Sequence, residues 1–140
     1  MTDEELIAKK LAFIDTCVHE LTTLARPDAI PGDVRELRFV EHTLQVAIQA
    51  ALDVASHIVS DERLGEPANN RELFDLLAGA GYLERSQVAA LRDMAGFRNV
   101  LVHAYTAVDP GILKDVLSHR LGDLSAFGVA IRRRMAAARA

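Results

Sequence analysis

The sequence predicts an all-α fold, a four- to five-helix up-and-down bundle that forms a single domain over residues 1–140. Apolar residues recur at spacings of three and four along four long segments and one short one, which is the helical period. No segment alternates apolar and polar residues as a strand does. The connections are short and contain proline or glycine, as between neighbouring helices of a bundle.

The helices follow in order along the chain, and most are preceded by a residue that can cap a helix N-terminus. The predicted ranges are Asp3–Leu24, Asp33–Ser60, Asn70–Ala78, Ser86–Val102 and Asp109–Ala136. The predicted caps are Thr2 or Asp3, Asp33, Ser86 and Asp109, whose side chains accept hydrogen bonds from the first helical N–H groups. Pro110 suits the first turn of the last helix.

Composition and charge exclude several classes of protein. Half of the residues are hydrophobic, so the chain can bury a hydrophobic core without disulfide bonds or a structural metal ion. Cys17 is expected to be a buried core residue. There is no apolar run of about 20 residues and no hydrophobic signal region, which predicts a cytoplasmic protein with no membrane contact. The net charge is −4, so any nucleic-acid contact must be local or must arise on assembly.

The second helix carries a polar stripe in addition to its apolar face. Its members are spaced by four, three, four, four and four residues, so they share one side: Arg38, His42, Gln45, Gln49, Asp53 and His57. A solvated face explains most of them. The uncharged Gln45 and Gln49 could equally line a helix–helix contact between subunits.

The densest set of polar residues lies between Met94 and Tyr105, at the end of the fourth helix. On a regular helix Arg98 and His103 point about 140° apart, so they do not converge within one straight helix. They converge if the helix distorts, or if two chains meet across a two-fold axis. A histidine or arginine here could also serve only to pair with the last carbonyls. Arginine, asparagine, histidine and tyrosine together, however, reduce helix stability without filling the core.

The pattern Arg98-x-x-x-x-His103-x-Tyr105, with Asn99 after the arginine and Gly-Phe before it, resembles the signature of the HepT-like HEPN ribonucleases. The block Leu44–Ile58 also resembles the second helix of that family, and the segment before the motif helix follows the same order. The resemblance covers most of the chain and implies a metal-independent endoribonuclease without a cofactor. It also implies a homodimer in which both chains line one cleft.

The resemblance assigns roles by position. Arg98 would neutralise the scissile phosphate, and His103 would act as general acid or base on the ribose hydroxyl or the leaving oxygen. Asn99 could orient His103 or bind phosphate, and Asp53 could support Arg98 or the imidazole. Tyr105 would be adenylylated by an MntA-like nucleotidyltransferase antitoxin, as in type VII-like toxin–antitoxin pairs.

Two other functions stay open. The chain could be a non-catalytic HEPN dimer that binds a nucleotide or a partner, or a structural helical adaptor. No metal site is expected, because the remaining histidines lack partners at metal-ligand spacing: His19, His42, His57 and His119. The basic residues Arg132–Arg134 and Arg139 could stabilise a helix C-terminus or contact RNA.

Overall fold

A computed structural model describes residues 3–103 and 108–139, and all regular structure within them is helical. The helices are α1 (Glu4–Leu24), α2 (Val34–Asp61), α3 (Glu72–Gly79), α4 (Arg85–His103), α5 (Pro110–His119) and α6 (Leu121–Arg139). A short 3-10 turn, Pro27–Ala29, connects α1 to α2. The predicted all-α bundle is confirmed, and the bounds of α1 and α2 agree with the sequence within one residue.

Aspartate caps start three of the helices. An oxygen of Asp3 accepts a hydrogen bond from the Leu6 N–H at 3.1 Å, whereas Thr2 lies outside the described residues. Asp33 accepts from the Arg35 N–H at 2.9 Å. Asp109 likewise accepts from the N–H of Gly111, two residues on, at 2.8 Å. These bonds satisfy N–H groups that have no partner inside the helix.

The start of α4 differs from the prediction. The helix begins at Arg85, so Ser86 lies in its first turn and is not the N-cap. The residue before the helix, Glu84, instead donates its backbone N–H to the side-chain oxygen of Gln87 at 3.0 Å. This glutamine occupies the position from which a capping-box side chain reaches back to the chain entering the helix.

The predicted last helix is two helices, separated at Arg120. The Arg120 N–H still donates to the carbonyl of Val116 at 2.9 Å, but its φ of −117° bends the chain there. α5 packs against the turn Pro27–Ala29 and against α2, whereas α6 packs along α1, α2 and α4. A single straight helix could not reach both sets of partners.

α2 is the central helix, and it packs against α1, α3, α4, α5 and α6. Its core side chains are almost completely buried, among them Val40, Leu44 and Ile58. Cys17 on α1 is 2% exposed, which confirms it as a core residue. None of the described helices combines the length and the apolar character needed to cross a membrane.

The turn before α4 sets the direction of the motif helix. The Tyr82 hydroxyl donates to a carboxylate oxygen of Glu62, just after α2, at 3.3 Å. α4 therefore starts beside the end of α2 and, because the two helices pack together, runs back along it. Arg98 and His103 consequently lie at the opposite end of the bundle from Tyr82.

Candidate active site

The motif helix α4 remains α-helical from Arg85 to His103. The distortion that would turn Arg98 and His103 towards each other is not found in this part of the chain. Their side chains therefore leave the helix about 140° apart. Arg98 is half-buried, and His103 is exposed. Of the two geometries that the sequence left open, the unbroken helix favours a cleft shared by two chains.

The guanidinium of Arg98 is only partly engaged. One of its terminal nitrogens, Nη1, donates to the side-chain oxygen of Asn99 at 3.3 Å. Its Nε is buried and has no hydrogen-bond partner among the described residues. No carboxylate within residues 3–103 and 108–139 forms an ion pair with it. An arginine whose charge is not neutralised and whose donors are partly unused can bind the oxygens of a phosphate.

The exposed side of α4 presents Asn99 and His103 together. Gly96, Asn99, Val100 and His103 follow at helical spacing and share this side. Val100 is 50% exposed, and a side chain added at Gly96 would meet no atom within 4 Å. The described part of this side of α4 is therefore exposed and partly apolar.

Asp53 contacts other groups than those predicted. Its Oδ2 lies 3.1 Å from Nζ of Lys10 on α1, and its Oδ1 accepts from the side-chain amide of Gln49 at 2.8 Å. Both carboxylate oxygens thus have partners, one that joins α1 to α2 and one within α2. Support of Arg98 or His103 by Asp53 stays a prediction. Sequence reasoning missed Lys10, because a pair separated by 43 residues leaves no local signal.

The polar stripe of α2 divides into two parts. Arg38 and His42 are exposed, as a solvated face requires, while the four residues after them are half-buried. Among these, Nε2 of His57 lies 3.0 Å from the carboxylate of Asp61 on the same helix. Within the described chain, no group of three or more His, Cys, Asp or Glu residues is arranged to hold a metal ion. Tyr105 lies outside the described residues.

Residues 14–131 match the protein family described as Ribonuclease HepT-like. The chain belongs to this HepT-like ribonuclease family. The predicted family and ribonuclease class are therefore confirmed, and the residues matched include the whole of α4 with Arg98, Asn99 and His103.

Relatives of the HepT-like family agree in sequence and in structure. The mRNA nuclease HepT of Shewanella oneidensis is 28% identical over 131 residues, which cover 88% of this chain and 93% of that protein. The tRNA nuclease HepT of Aphanizomenon flos-aquae is 36% identical over 70 residues, half of this chain and 48% of its own. The tri-AMPylated HEPN toxin of Shewanella oneidensis, solved in complex with its MNT antitoxin, superposes with a TM-score of 0.84 and 29% identity. That alignment covers 95% of this chain and 99% of the toxin.

Proposed function

We propose that this chain is a metal-independent endoribonuclease of a toxin–antitoxin pair, acting in the cytoplasm as a single-domain homodimer. The observation that carries the proposal is that one unbroken helix bears both an exposed imidazole, at His103, and an un-neutralised guanidinium, at Arg98. Arginine and histidine together supply a phosphate clamp and a proton carrier, which are the functions that RNA cleavage needs. The similarity to mRNA and tRNA nucleases supports RNA as the substrate.

The proposed reaction is an attack of the ribose 2′-oxygen on the adjacent phosphorus. Neutral His103 accepts the proton of the 2′-hydroxyl, and the oxygen forms a bond to phosphorus while the bond to the 5′-oxygen breaks. The leaving 5′-oxygen takes a proton from water, and the resulting hydroxide takes back the proton that His103 accepted. The products are a 2′,3′-cyclic phosphate and a 5′-hydroxyl. Arg98 stabilises the negative charge that accumulates on the phosphoryl oxygens during this step.

Cleavage of a labelled RNA by the purified protein in excess EDTA tests the proposal. Wild type should cleave, and His103→Ala should not, while both keep the same helical content by circular dichroism. His19→Ala is the matched control, because His19 is also exposed but lies on α1, outside the motif helix. The proposal fails if wild type cleaves no RNA with or without divalent metal, or if His103→Ala cleaves as fast as wild type.

Regulation is proposed to follow that of the structural relatives. A solved relative is an AMPylated toxin in complex with its antitoxin, and an MntA antitoxin accompanies another solved toxin. We infer a nucleotidyltransferase partner for this chain, with Tyr105 as the residue that receives the adenylyl group. A phosphate added two residues from His103 would compete with the substrate phosphate for Arg98.

A further inference from the structure

A groove of about 590 Å³ lies between α6 and the turn that precedes α4, at the end of the bundle opposite His103. One wall is a single face of α6, which carries alanines, Val129 and two arginines at helical spacing. The other wall is the turn Gly81–Glu84 with Gln87. Gly81 has a φ of +85°, which allows the sharp turn that places Tyr82 in this wall.

The four arginines near the end of α6 divide into two pairs by their contacts. Arg132 lies 2.7 Å from a carboxylate oxygen of Asp15, and Arg139 lies 2.9 Å from one of Glu4, so both fasten α6 to α1. Arg133 and Arg134 form no ion pair with any residue that the structure describes, and both line the groove. The basic cluster is therefore structural on one side of α6 and unpaired on the other.

The two groove arginines are held differently. The guanidinium of Arg134 lies over the ring of Tyr82, 5.1 Å from the ring centroid. The hydroxyl of Tyr82 donates a hydrogen bond to Glu62, which holds the ring in place. The outer face of this stacked guanidinium is turned away from the ring. Arg133 is exposed and has no ion-pair partner among the described residues. A planar cation on a rigid support suits the face of a nucleobase, and an exposed guanidinium beside it suits a phosphate.

The remaining lining favours a nucleic acid over a protein partner. Protein interfaces are built around large apolar anchors, but Val129 is the only large, mostly exposed apolar side chain among the groove residues that are described here, and its neighbours are alanines. Gln87 adds an amide. Among the described residues that line the groove, Glu84 is the one carboxylate, so two guanidinium groups leave the groove positive although the chain as a whole carries −4.

We propose that this groove binds single-stranded RNA that flanks the cleavage site, stacking a base on Arg134 and pairing a phosphate with Arg133. The proposal rests on the proposed ribonuclease function and adds to it a second point of contact with the substrate. Gln87 and His103 are 16 residues apart on one helix, so the groove lies about 24 Å from His103 along α4. A substrate must therefore be long enough to span both places.

Fluorescence anisotropy with the full chain tests the groove. His103→Ala serves as background so that bound RNA stays intact, and the probes are labelled single-stranded RNAs of about 4 and about 16 nucleotides. Adding Arg133→Gln should weaken binding of the long RNA severalfold. It should also reduce the slope of log affinity against log salt by about 0.7, the value for one phosphate contact on a single strand. Arg134→Lys keeps the charge but not the planar fork, so it should weaken binding with little change in slope.

The controls separate this proposal from the nuclease proposal. Arg71→Gln removes the same charge from an exposed arginine outside the groove and should leave both probes unaffected. The short RNA cannot reach the groove and the motif at once, so Arg133→Gln should weaken binding of the long RNA more than binding of the short one. If wild type cleaves RNA but Arg133→Gln leaves the affinity and the salt slope of the long RNA unchanged, only the proposal of RNA binding in the groove is refuted. Groove-dependent binding in a protein that never cleaves RNA refutes the nuclease alone. If Arg133→Gln instead loses the co-expressed antitoxin and keeps its RNA affinity, the groove is a protein-binding surface.

Discussion

Arg98 and His103 lie five residues apart on an unbroken helix, and their side chains leave α4 in directions about 140° apart. One chain therefore directs its phosphate-binding group and its proton carrier to different sides of the same helix. A two-fold axis beside α4 would bring the arginine of one chain to the histidine of the other. In such an interface every contact occurs twice, so the second arginine and histidine would meet in the same way.

The first prediction is complementation between two inactive variants. Arg98→Ala and His103→Ala should each be inactive as homodimers. When they are co-unfolded and refolded as an equal mixture, half of the dimers are mixed, and each mixed dimer holds one cleft with an intact arginine and an intact histidine. About a quarter of wild-type cleavage should return, as expected for a two-fold dimer with two equivalent clefts.

Gel-based cleavage of a labelled RNA by the refolded mixture measures this recovery. Wild type that is unfolded and refolded in the same way is the control for refolding losses, and His103→Ala refolded alone is the inactive control. No recovery in mixtures that light scattering shows to be dimeric would mean that each chain uses its own arginine and histidine.

The second prediction concerns the shape of the cation at position 98. Arg98→Lys keeps the positive charge but replaces a planar fork by a point charge, so bidentate contact with phosphate is lost. We expect a decrease in kcat of at least tenfold with an unchanged melting temperature, because Arg98 forms no ion pair within residues 3–103 and 108–139. Single-turnover kinetics measures the rate. If Arg98→Lys cleaves RNA as fast as wild type, a positive charge alone suffices at this position.

The third prediction concerns Tyr105. Tyr105→Phe removes the hydroxyl that would accept an adenylyl group, so the variant should cleave RNA yet resist neutralisation by a co-expressed nucleotidyltransferase. Intact-mass spectrometry should show an added adenylate on wild type and none on the variant. Tyr82→Phe is a useful comparison, since it removes the other tyrosine hydroxyl of the chain. Neutralisation of wild type without a mass increase would instead indicate inhibition by binding.

The fold was largely predictable because the information for it is local. The 3.6-residue period of the apolar positions and the caps Asp3, Asp33 and Asp109 define helices within one or two residues. The division between α5 and α6 at Arg120 was not predictable in the same way. It depends on which distant helices each half packs against, and no local pattern records that.

The candidate site shows the same division between local and distant information. The spacing of Arg98 and His103 could be read directly from the sequence, including the angle between them. The contacts of Asp53 with Lys10, and of Arg134 with Tyr82, join segments more than 40 residues apart. Such pairs require the three-dimensional packing, and for this reason the groove beside α6 could not be anticipated from its arginines alone.

The fourth prediction concerns Cys17. Burial raises the pKa of its thiol, and the negative charge of Glu20 raises it further. The folded state therefore holds the thiol proton more tightly than the unfolded state, so the contribution is constant at low pH and stability falls as the pH rises above about 8.5. The free energy of unfolding in urea is measured at neutral pH and at about one unit above that threshold. Its decrease between the two pH values should be smaller in Cys17→Ala than in wild type. Equal decreases in both proteins would assign the loss to other groups.

The last prediction separates two roles for Asp53. Its carboxylate joins α1 to α2 through Lys10, and both side chains are about two-fifths exposed, at 37% for the lysine and 40% for the aspartate. Water screens a pair of this kind, so a double-mutant cycle of Lys10→Met and Asp53→Asn should give a coupling free energy of about 0.2–1 kcal/mol. If the tie between helices is its main role, the two single variants should lower the melting temperature by similar small amounts and should affect RNA cleavage equally. If Asp53 instead supports Arg98 or His103 of a second chain, Asp53→Asn alone should slow cleavage and alter its pH profile, while Lys10→Met should not. The structure favours the first result, because both oxygens of the carboxylate already have partners on α1 and α2.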